Sequence, residues 1–307
     1  MSSIGIIGVG QVGAAAAYAL VLGSIADELL LVDVKADLRD AQVRDLSDVA
    51  YISNSKTRVR AAAHHEVGQC DIVVITTGSN LSPGETSFLH MYQNVAIIRS
   101  VMKYIVPLRS DTIVLVVANP VDLITSLARE LSGLPDSQVI GSGTFLDSVR
   151  LRGLLADQAG VSPKSIDLYV VGTHGSSQVA AWSTATIGGI PINISLSGNA
   201  IDRAKLENEC KSRSETIIKA KGATPLGIGS IVSGICFSIM SDKRDVRPIS
   251  HFQPEFGCCF SLPVVLGRKG VARTIEMPLN EEERVKLTES AWALKETIDR
   301  VQENPGT

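Results

Sequence analysis

A short apolar run near the start of the chain leads directly into the segment GVGQVG at residues 8–13. Residues 4–7 suit a buried strand, and the residues after the glycines suit an apolar helix. In that setting Gly8 permits a tight turn, Gly10 lets the backbone approach a pyrophosphate, and Gly13 allows close helix–strand packing. The N–H groups at the helix start attract phosphate. The alternative is a glycine turn in an α/β protein that binds no dinucleotide, because this motif alone is weak evidence.

An acidic residue strengthens the first interpretation. Asp33 ends the second apolar run, 20 residues after Gly13. An acid at that position hydrogen-bonds the adenosine ribose hydroxyls and repels a 2′-phosphate, which favours NAD over NADP. We therefore expect NAD as the cofactor.

The first half of the chain alternates short β-branched runs with helix-sized segments. Continuous apolar runs separated by helices indicate strands buried on both faces of a parallel sheet. We expect strands at residues 4–7, 28–34, 71–75, 112–117 and 138–140. We expect helices at residues 12–22, 37–49, 86–106 and 121–131. This alternation predicts an α/β fold with a doubly wound, Rossmann-type parallel sheet and a ligand crevice at the strands' carboxyl ends.

The pattern changes after Asp147 towards a mixed α+β arrangement. Short alternating stretches there suit antiparallel pairing. We expect strands at residues 166–171, 183–187, 259–266 and 270–276. We expect helices at residues 148–159, 203–221, 227–240 and 281–301. A boundary near residue 145 would separate an NAD-binding Rossmann domain, 1–145, from a catalytic and substrate domain, 146–307.

Composition argues against several classes of protein. With 45% hydrophobic and 20% charged residues in 307, the chain is too apolar for disorder, and its net charge of -3 offers no basic surface for nucleic acid. Five cysteines without a CxxC motif favour neither a disulfide framework nor a zinc site. No segment reaches the roughly 20 apolar residues of a membrane span. Because the first basic residue is Lys35, the apolar stretch 14–23 lacks the charged start of a signal peptide. We expect a cytoplasmic protein with no metal.

One histidine stands out by its surroundings. His174 follows a predicted strand and lies between glycines. Taken alone, a histidine there is more often packed or solvated than catalytic, and the other histidines (His64, His65, His90 and His251) are interpreted that way. Asp147 and Arg150, however, lie three residues apart at a strand-to-helix junction, which directs both side chains to one side of the helix.

Taken together, these residues resemble the lactate/malate dehydrogenase family, and the likeness extends over essentially the whole chain. The glycine segment, Asp33, VVANPVD at 116–122, LDSVR at 146–150, GTHG at 172–175 and KGAT at 221–224 occur in the family's order. The length of the loop from Gly78 to Asn94 is similar to that of bacterial-type L-lactate dehydrogenases. The resemblance implies the fold predicted above, and a homo-oligomer, either a dimer or a tetramer.

The resemblance also implies roles for individual residues. His174 would protonate the substrate carbonyl during reduction and act as the base in reverse. Asp147 would orient its ring, and Arg150 would bind the substrate carboxylate in a bidentate pair. The implied cofactor-binding residues are Gly8, Gly10, Gln11, Val12, Gly13, Asp33, Gly78, Val117 and Asn119. The implied substrate-binding residues are Leu81, Ser87, Asn119, Arg150 and Thr224.

The chain departs from the family in the mobile loop. Leu81 stands where lactate enzymes have glutamine and malate enzymes have arginine. Ser87 stands where the family has an arginine that polarises the reacting carbonyl, and no arginine occurs between Arg60 and Arg99. Loss of one such donor typically costs about 10²–10³ in rate. Leu81 offers nothing to a second carboxylate, which disfavours oxaloacetate and favours a larger apolar side chain.

Two hypotheses follow. The first is an NAD-dependent L-2-hydroxy-acid dehydrogenase of lactate type, which reversibly reduces a 2-oxo acid with an apolar side chain and is either slower than its relatives or redirected to a bulkier apolar substrate. The alternative is an NAD-binding protein of the same fold whose catalysis is vestigial or whose chemistry has changed. His174, Asp147, Arg150 and Asn119 favour the enzyme, and Ser87 favours the alternative.

Overall fold

The computed structural model describes residues 1–79, 87–196 and 201–303, with Ser87 described by its backbone alone. Leu81, a predicted substrate-binding residue, therefore lies outside the described residues. The side chain of Ser87 does so too.

A parallel sheet occupies the first half of the chain, as predicted. Its strands run in the order β3-β2-β1-β4-β5-β6, and each pair is parallel. The strands are β1 Ser3–Ile7, β2 Glu28–Val32, β3 Arg58–Ala61, β4 Ile72–Ile75, β5 Ile113–Val116 and β6 Val139–Gly141. The prediction omitted β3, an edge strand with two arginines and little apolar character. The other strands of this half are confirmed to within two residues.

Helices cover both faces of this sheet, which makes it doubly wound. They are α1 Gln11–Leu22, α2 Ala36–Ile52, α3 His64–Val67, α4 Ser87–Ile105 and α5 Val121–Ser132. One apolar cluster includes residues from α1 and α2, and a second, on the opposite face, includes residues from α4 and α5. The α/β prediction is therefore confirmed, and the carboxyl ends of the strands face one common edge.

The second half contributes both helices and antiparallel strands. In chain order its elements are α6 Phe145–Ala159, β7 Ile166–Asp167, β8 Val170–Val171, β9 Val179–Ala180, β10 Thr186–Ile187, β11 Ile190–Pro191, α7 Ile192–Ser195, α8 Arg203–Lys221, α9 Pro225–Met240, β12 Asp245–Gln253, β13 Cys258–Gly267, β14 Gly270–Thr274 and α10 Glu281–Glu303.

Three of these strands extend the main sheet. β12 pairs antiparallel with β6, with Ser250 opposite Gly141, and continues through β13 to β14 to give nine strands. The prediction missed β12 altogether. Its Pro248, which lies opposite Pro263 of β13, argues against an interior strand on sequence grounds. The two halves of the chain therefore share one sheet.

Two predicted strands of this half were wrong in detail. The expected strand at 166–171 is divided into β7 and β8, which belong to different small sheets. The carbonyl of Leu168, between them, accepts instead from Arg152 Nε over 2.9 Å. Of the expected strand 183–187, only Thr186 and Ile187 form a strand, because residues 182–184 make a 3₁₀ turn.

Helices α1 and α9 cross at very close range. A Cβ atom added to Gly229 of α9 would lie 2.7 Å from the carbonyl carbon of Ala15 in α1. Contacts that short essentially never occur, so the crossing requires glycine there. The chain thereby places the starts of two helices side by side.

Hydropathy gives one further observation. None of the helices in the described parts of the chain is both long enough and apolar enough to cross a membrane.

Candidate active site

The turn between β1 and α1 has the geometry that its glycines predict. Gly8 adopts φ +90°, and a Cβ there would lie 2.8 Å from Thr77. A Cβ on Gly13 would lie 1.9 Å from the Gly8 carbonyl oxygen. Among the described residues, and apart from its chain neighbours, nothing lies within 4 Å of the Cβ position at Gly10, so these residues leave the backbone at the start of α1 open to a ligand. Beside this turn, Thr77 Oγ1 is buried and has no hydrogen-bond partner among the described residues.

Asp33 follows β2 and lies beside the glycine turn. Its Oδ2 accepts from the backbone N–H of Val9 over 2.8 Å, and its Oδ1 accepts from the N–H of Lys35 over 2.9 Å. The carboxylate thus fixes the turn itself. Each oxygen retains a further lone pair that can accept from a hydroxyl.

Asn94 of α4 links the segment that follows β4 to the segment that follows β5. Its Oδ1 accepts from the backbone N–H of Ser79 over 2.8 Å, and its Nδ2 donates to the carbonyl of Asn119 over 2.9 Å. One turn earlier on α4, His90 Nε2 donates to the carbonyl of Ser79 over 2.7 Å. Gly78 and Asn119, which were both predicted at the site, are therefore connected through one buried amide. His90 was interpreted as an ordinary packed histidine, and it holds the backbone before the loop.

The predicted catalytic pair is in direct contact. His174 Nδ1 donates to Asp147 Oδ2 over 2.7 Å, from the loop after β8 to the first turn of α6. The Asp147 side chain is only 3% exposed, whereas that of His174 is 27% exposed. The ring is therefore anchored inside the protein at one nitrogen. Its Nε2 has no hydrogen-bond partner in the described part of the chain and can meet a substrate.

A second carboxylate holds the same histidine by its backbone. Asp122, buried in the first turn of α5, accepts from the N–H of His174 through Oδ2 over 2.7 Å. The loop is also fixed by paired backbone hydrogen bonds of 2.8 and 3.0 Å between Gly172 and Ser261 of β13. His174 is consequently preorganised before any ligand binds.

Burial and charge act on these groups in opposite directions. Burial lowers the pKa of His174, but the charge and hydrogen bond of Asp147 and the charge of Asp122 outweigh it, so the pKa is raised. Burial raises the pKa of Asp122 to about 6, although the His174 N–H and the charge of His174 favour its charged form. The site therefore favours a charged imidazolium at His174.

Arg150 lies one helical turn after Asp147 and is mostly buried. Its Nη1 is 3.7 Å from Asp147 Oδ1, an ion-pair distance, and donates to the Ser214 hydroxyl of α8 over 2.6 Å. A guanidinium thus lies beside the histidine, with other N–H groups available for an anion.

Thr224, the last predicted residue, immediately precedes α9. The nearby turn lies beside the cofactor loop, since the Cβ position of Gly222 is 3.9 Å from Gln11 Nε2. Val117 continues β5, where its N–H donates to the Ile75 carbonyl over 2.9 Å. Thr224 has no side-chain hydrogen bond to the other site residues in the described ranges.

The arrangement can transfer a proton to an anionic substrate. An imidazole with one nitrogen fixed and the other accessible is suited to acid–base work, and the adjacent guanidinium is suited to a carboxylate. The open glycine turn is suited to a pyrophosphate.

Sequence reasoning assigned no role to Asp122, Asn94 or Ser214. For Asp122 a signal existed, because an acid that lies just after a strand, among the apolar residues Val121, Leu123 and Ile124, needs a buried partner. Asn94 and Ser214 lie in ordinary helical patterns, and only the folded chain shows what they contact.

Comparisons with known proteins match this chain over nearly its whole length. Residues 2–141 match the family described as lactate/malate dehydrogenase, NAD binding domain. Residues 144–304 match the family described as lactate/malate dehydrogenase, alpha/beta C-terminal domain.

Individual relatives carry one name. The chain is 42% identical to the L-lactate dehydrogenase A of Rhizopus oryzae, over 96% of this chain and 91% of that protein. It is 39% identical to the L-lactate dehydrogenase of Deinococcus radiodurans, over 95% and 97%. Among solved structures, a minor L-lactate dehydrogenase from Enterococcus mundtii superposes with a TM-score of 0.93 at 31% identity, covering 98% of each chain. A lactate dehydrogenase from a deep-sea metagenome library has the same TM-score and identity, over 97% of this chain and 98% of that one.

Proposed function

Since the chain belongs to the lactate/malate dehydrogenase family, we propose that it reversibly reduces a small 2-oxo acid to the L-2-hydroxy acid. It is an NAD-dependent oxidoreductase that acts on a CH–OH group. The observation that carries the proposal is the 2.7 Å hydrogen bond between His174 Nδ1 and the buried Asp147. It leaves Nε2 accessible, next to Arg150.

The residues of the β1–α1 turn fit NAD. The open space at Gly10 suits a pyrophosphate, and the unpartnered Thr77 hydroxyl offers a further polar contact. Gly8, Gly13, Gln11 and Val12 would form the cradle. Asp33 would accept from the ribose hydroxyls, while Gly78, Val117 and Asn119 would border the nicotinamide end. When bound, NAD supplies or accepts the hydride.

The protein's own part is to bind, orient and move a proton. Arg150 would hold the substrate carboxylate in a bidentate pair. His174 Nε2 would give a proton to the substrate oxygen during reduction and take it back during oxidation. Asp147 would keep the ring in one orientation and stabilise its charged form. Asn119 and Thr224 would line the pocket.

The substrate's side chain is proposed from the loop sequence. Leu81 favours an apolar group, and Ser87 supplies no charge to the reacting carbonyl. We expect slow turnover compared with relatives that have a loop arginine. The loop length is similar to that of bacterial-type L-lactate dehydrogenases.

A homo-oligomer, dimer or tetramer, is the proposed assembly. The adjacent helices α1 and α9 leave Tyr18, Leu22, Leu226 and Phe237 between 41% and 70% exposed, and such apolar surfaces commonly mark interfaces. A cytoplasmic location is supported by five cysteines that all remain free thiols.

The direct test is a screen of 2-oxo acids with NADH, in which loss of NADH absorbance reports reduction. We expect turnover with at least one apolar 2-oxo acid, and a His174→Gln variant should lose it while NADH binding is retained. Inactivity across a broad panel, with NADH binding intact, would favour vestigial catalysis.

A further inference from the structure

Ser214 holds the guanidinium that the proposed function assigns to substrate binding. Arg150 Nη1 donates to Ser214 Oγ over 2.6 Å. Asp147 Oδ1 is beyond hydrogen-bond range at 3.7 Å. Within the described ranges, Ser214 is the only hydrogen-bond partner of the Arg150 guanidinium. A mostly buried guanidinium is therefore oriented by one serine.

The backbone that carries Ser214 is itself fixed. Leu206 and Cys210 precede it at intervals of four residues, so the three side chains share one face of α8. Leu206 and Cys210 are buried, and Cys210 Sγ donates to the Asp147 carbonyl over 3.4 Å. Ser214, which is partly exposed, thus continues a stripe packed on α6, the helix that also carries Asp147 and Arg150.

The Ser214 hydroxyl still has a proton to donate. Its neighbours on α8 use theirs within the helix, because Ser212 Oγ donates to the Glu209 carbonyl over 3.4 Å and Thr216 Oγ1 donates to the Ser212 carbonyl over 3.1 Å. Ser214 has no acceptor among the described residues. A hydroxyl that accepts from a cationic donor and retains its own proton can donate to an anion bound by that cation.

We propose that Ser214 completes the substrate-carboxylate site. Its oxygen fixes Arg150 through Nη1, which leaves the other guanidinium N–H groups to face the ligand. Its proton then forms an additional hydrogen bond to the bound carboxylate. The inference rests on the proposed function, because that function supplies a substrate with a carboxylate next to the reacting carbonyl.

The proposed hydrogen bond from Ser214 to the substrate carboxylate should stabilise the ground state and the transition state equally, because this carboxylate does not take part in the reaction. Ser214→Ala should therefore raise KM for the best 2-oxo acid roughly tenfold, with kcat and NADH affinity unchanged. Ser214→Thr, which keeps the hydroxyl, should restore KM. The matched control is Ser212→Ala, two residues away on the same helix, which should leave KM unchanged.

A binding measurement separates this inference from the proposed function. Oxamate is an unreactive analogue of a 2-oxo acid, so its dissociation constant in the presence of NADH reports the carboxylate site without turnover. We expect Ser214→Ala to raise the dissociation constant of oxamate by the same factor as it raises KM. Equal oxamate affinity in Ser214→Ala and wild type, or a fall in kcat at constant KM, would overturn the inference. Oxamate binding by a wild-type chain that turns over no 2-oxo acid would reject the function, and the oxamate constants would still decide the role of Ser214.

Discussion

The backbone N–H of His174 lies 2.7 Å from Asp122 Oδ2 and donates to it, across an interval of 52 residues in sequence. A carboxylate of α5 thus holds the main chain of a residue whose ring is held by a carboxylate of α6. His174 is fixed at two points by two different buried acids. Each acid should therefore affect proton transfer, and each can be tested through one property of its side chain.

For Asp122, that property is its charge. Asp122→Asn keeps an oxygen that can accept from the His174 N–H and removes the charge that helps to raise the pKa of His174. We expect kcat/KM for reduction to fall roughly threefold to tenfold at pH 8, well below the 10²–10⁴ that a proton-transfer group supplies. The deficit should shrink at pH 6, where the imidazolium forms more readily. An equal deficit at both pH values would mean that Asp122 acts through geometry alone.

The pH dependence of catalysis should follow His174. Reduction needs the imidazolium, so its rate should fall as pH rises through the raised pKa, whereas oxidation needs the neutral ring and should gain over the same range. In the Asp147→Asn variant, the pH–rate profiles of reduction and of oxidation should both shift to lower pH, and kcat/KM should fall by at least about 10². Rate profiles in both directions test this. Profiles that do not shift in the variant would exclude Asp147 as the cause of the raised pKa of His174.

Cofactor selectivity should depend on Asp33. We expect NADH to bind at least about tenfold more tightly than NADPH, because a 2′-phosphate would face a carboxylate. Asp33→Asn keeps an oxygen that can accept from the Val9 N–H but removes the charge. It should therefore reduce the preference for NADH over NADPH. Fluorescence titration of both dinucleotides measures it, and Asp37→Asn, on the neighbouring helix, is the control. Comparable affinities in the wild type would contradict the assignment.

Substrate preference should depend on Leu81. Apolar burial contributes about 0.8 kcal/mol per CH₂, so 2-oxo acids with four or more carbons and no second charge should outperform oxaloacetate. Leu81→Arg should raise the ratio of kcat/KM for oxaloacetate to that for pyruvate about tenfold. Leu81→Gln, which adds polarity without charge, should change it much less. A constant ratio would mean that Leu81 does not line the site.

Ser87→Arg tests the missing loop charge. Because an arginine there would act mainly on charge that develops in the transition state, kcat should rise by at least about tenfold on the best 2-oxo acid. NADH affinity should hardly change. Ser87→Gln supplies polarity and length without charge and serves as the control. A flat kcat in a folded, NADH-binding Ser87→Arg variant would show that another group polarises the carbonyl or that the chemistry is different.

The alternation of apolar runs was enough to predict five of the six parallel strands described above, the four long helices that cover them and the glycine turn. It failed at β12, because Pro248, Arg247 and His251 give that strand no apolar run, although β6 and β13 flank it on both sides. Strand pairing there depends on partners distant in sequence, which a local pattern does not contain.

In the candidate site too, residues with a local sequence pattern could be predicted, and contacts between distant segments could not. Asp147 and Arg150 were predictable because both lie on one helix with a fixed spacing. The contacts of Asn94 with Ser79 and Asn119, and of Ser214 with Arg150, join elements that only the fold brings together. Residues that bear chemistry were recognised, and residues that orient them were not.

The close crossing at Gly229 fixes the spacing between the starts of α1 and α9, where the two proposed ligand sites lie. Gly229 lies five residues after Thr224, and its contact Ala15 lies five residues after Gly10. The crossing is therefore equally far along both helices from the residues proposed to meet substrate and cofactor. A side chain at Gly229 would push the two helices apart. We therefore expect the spacing between the proposed substrate and cofactor residues to depend on a glycine that is assigned to neither site.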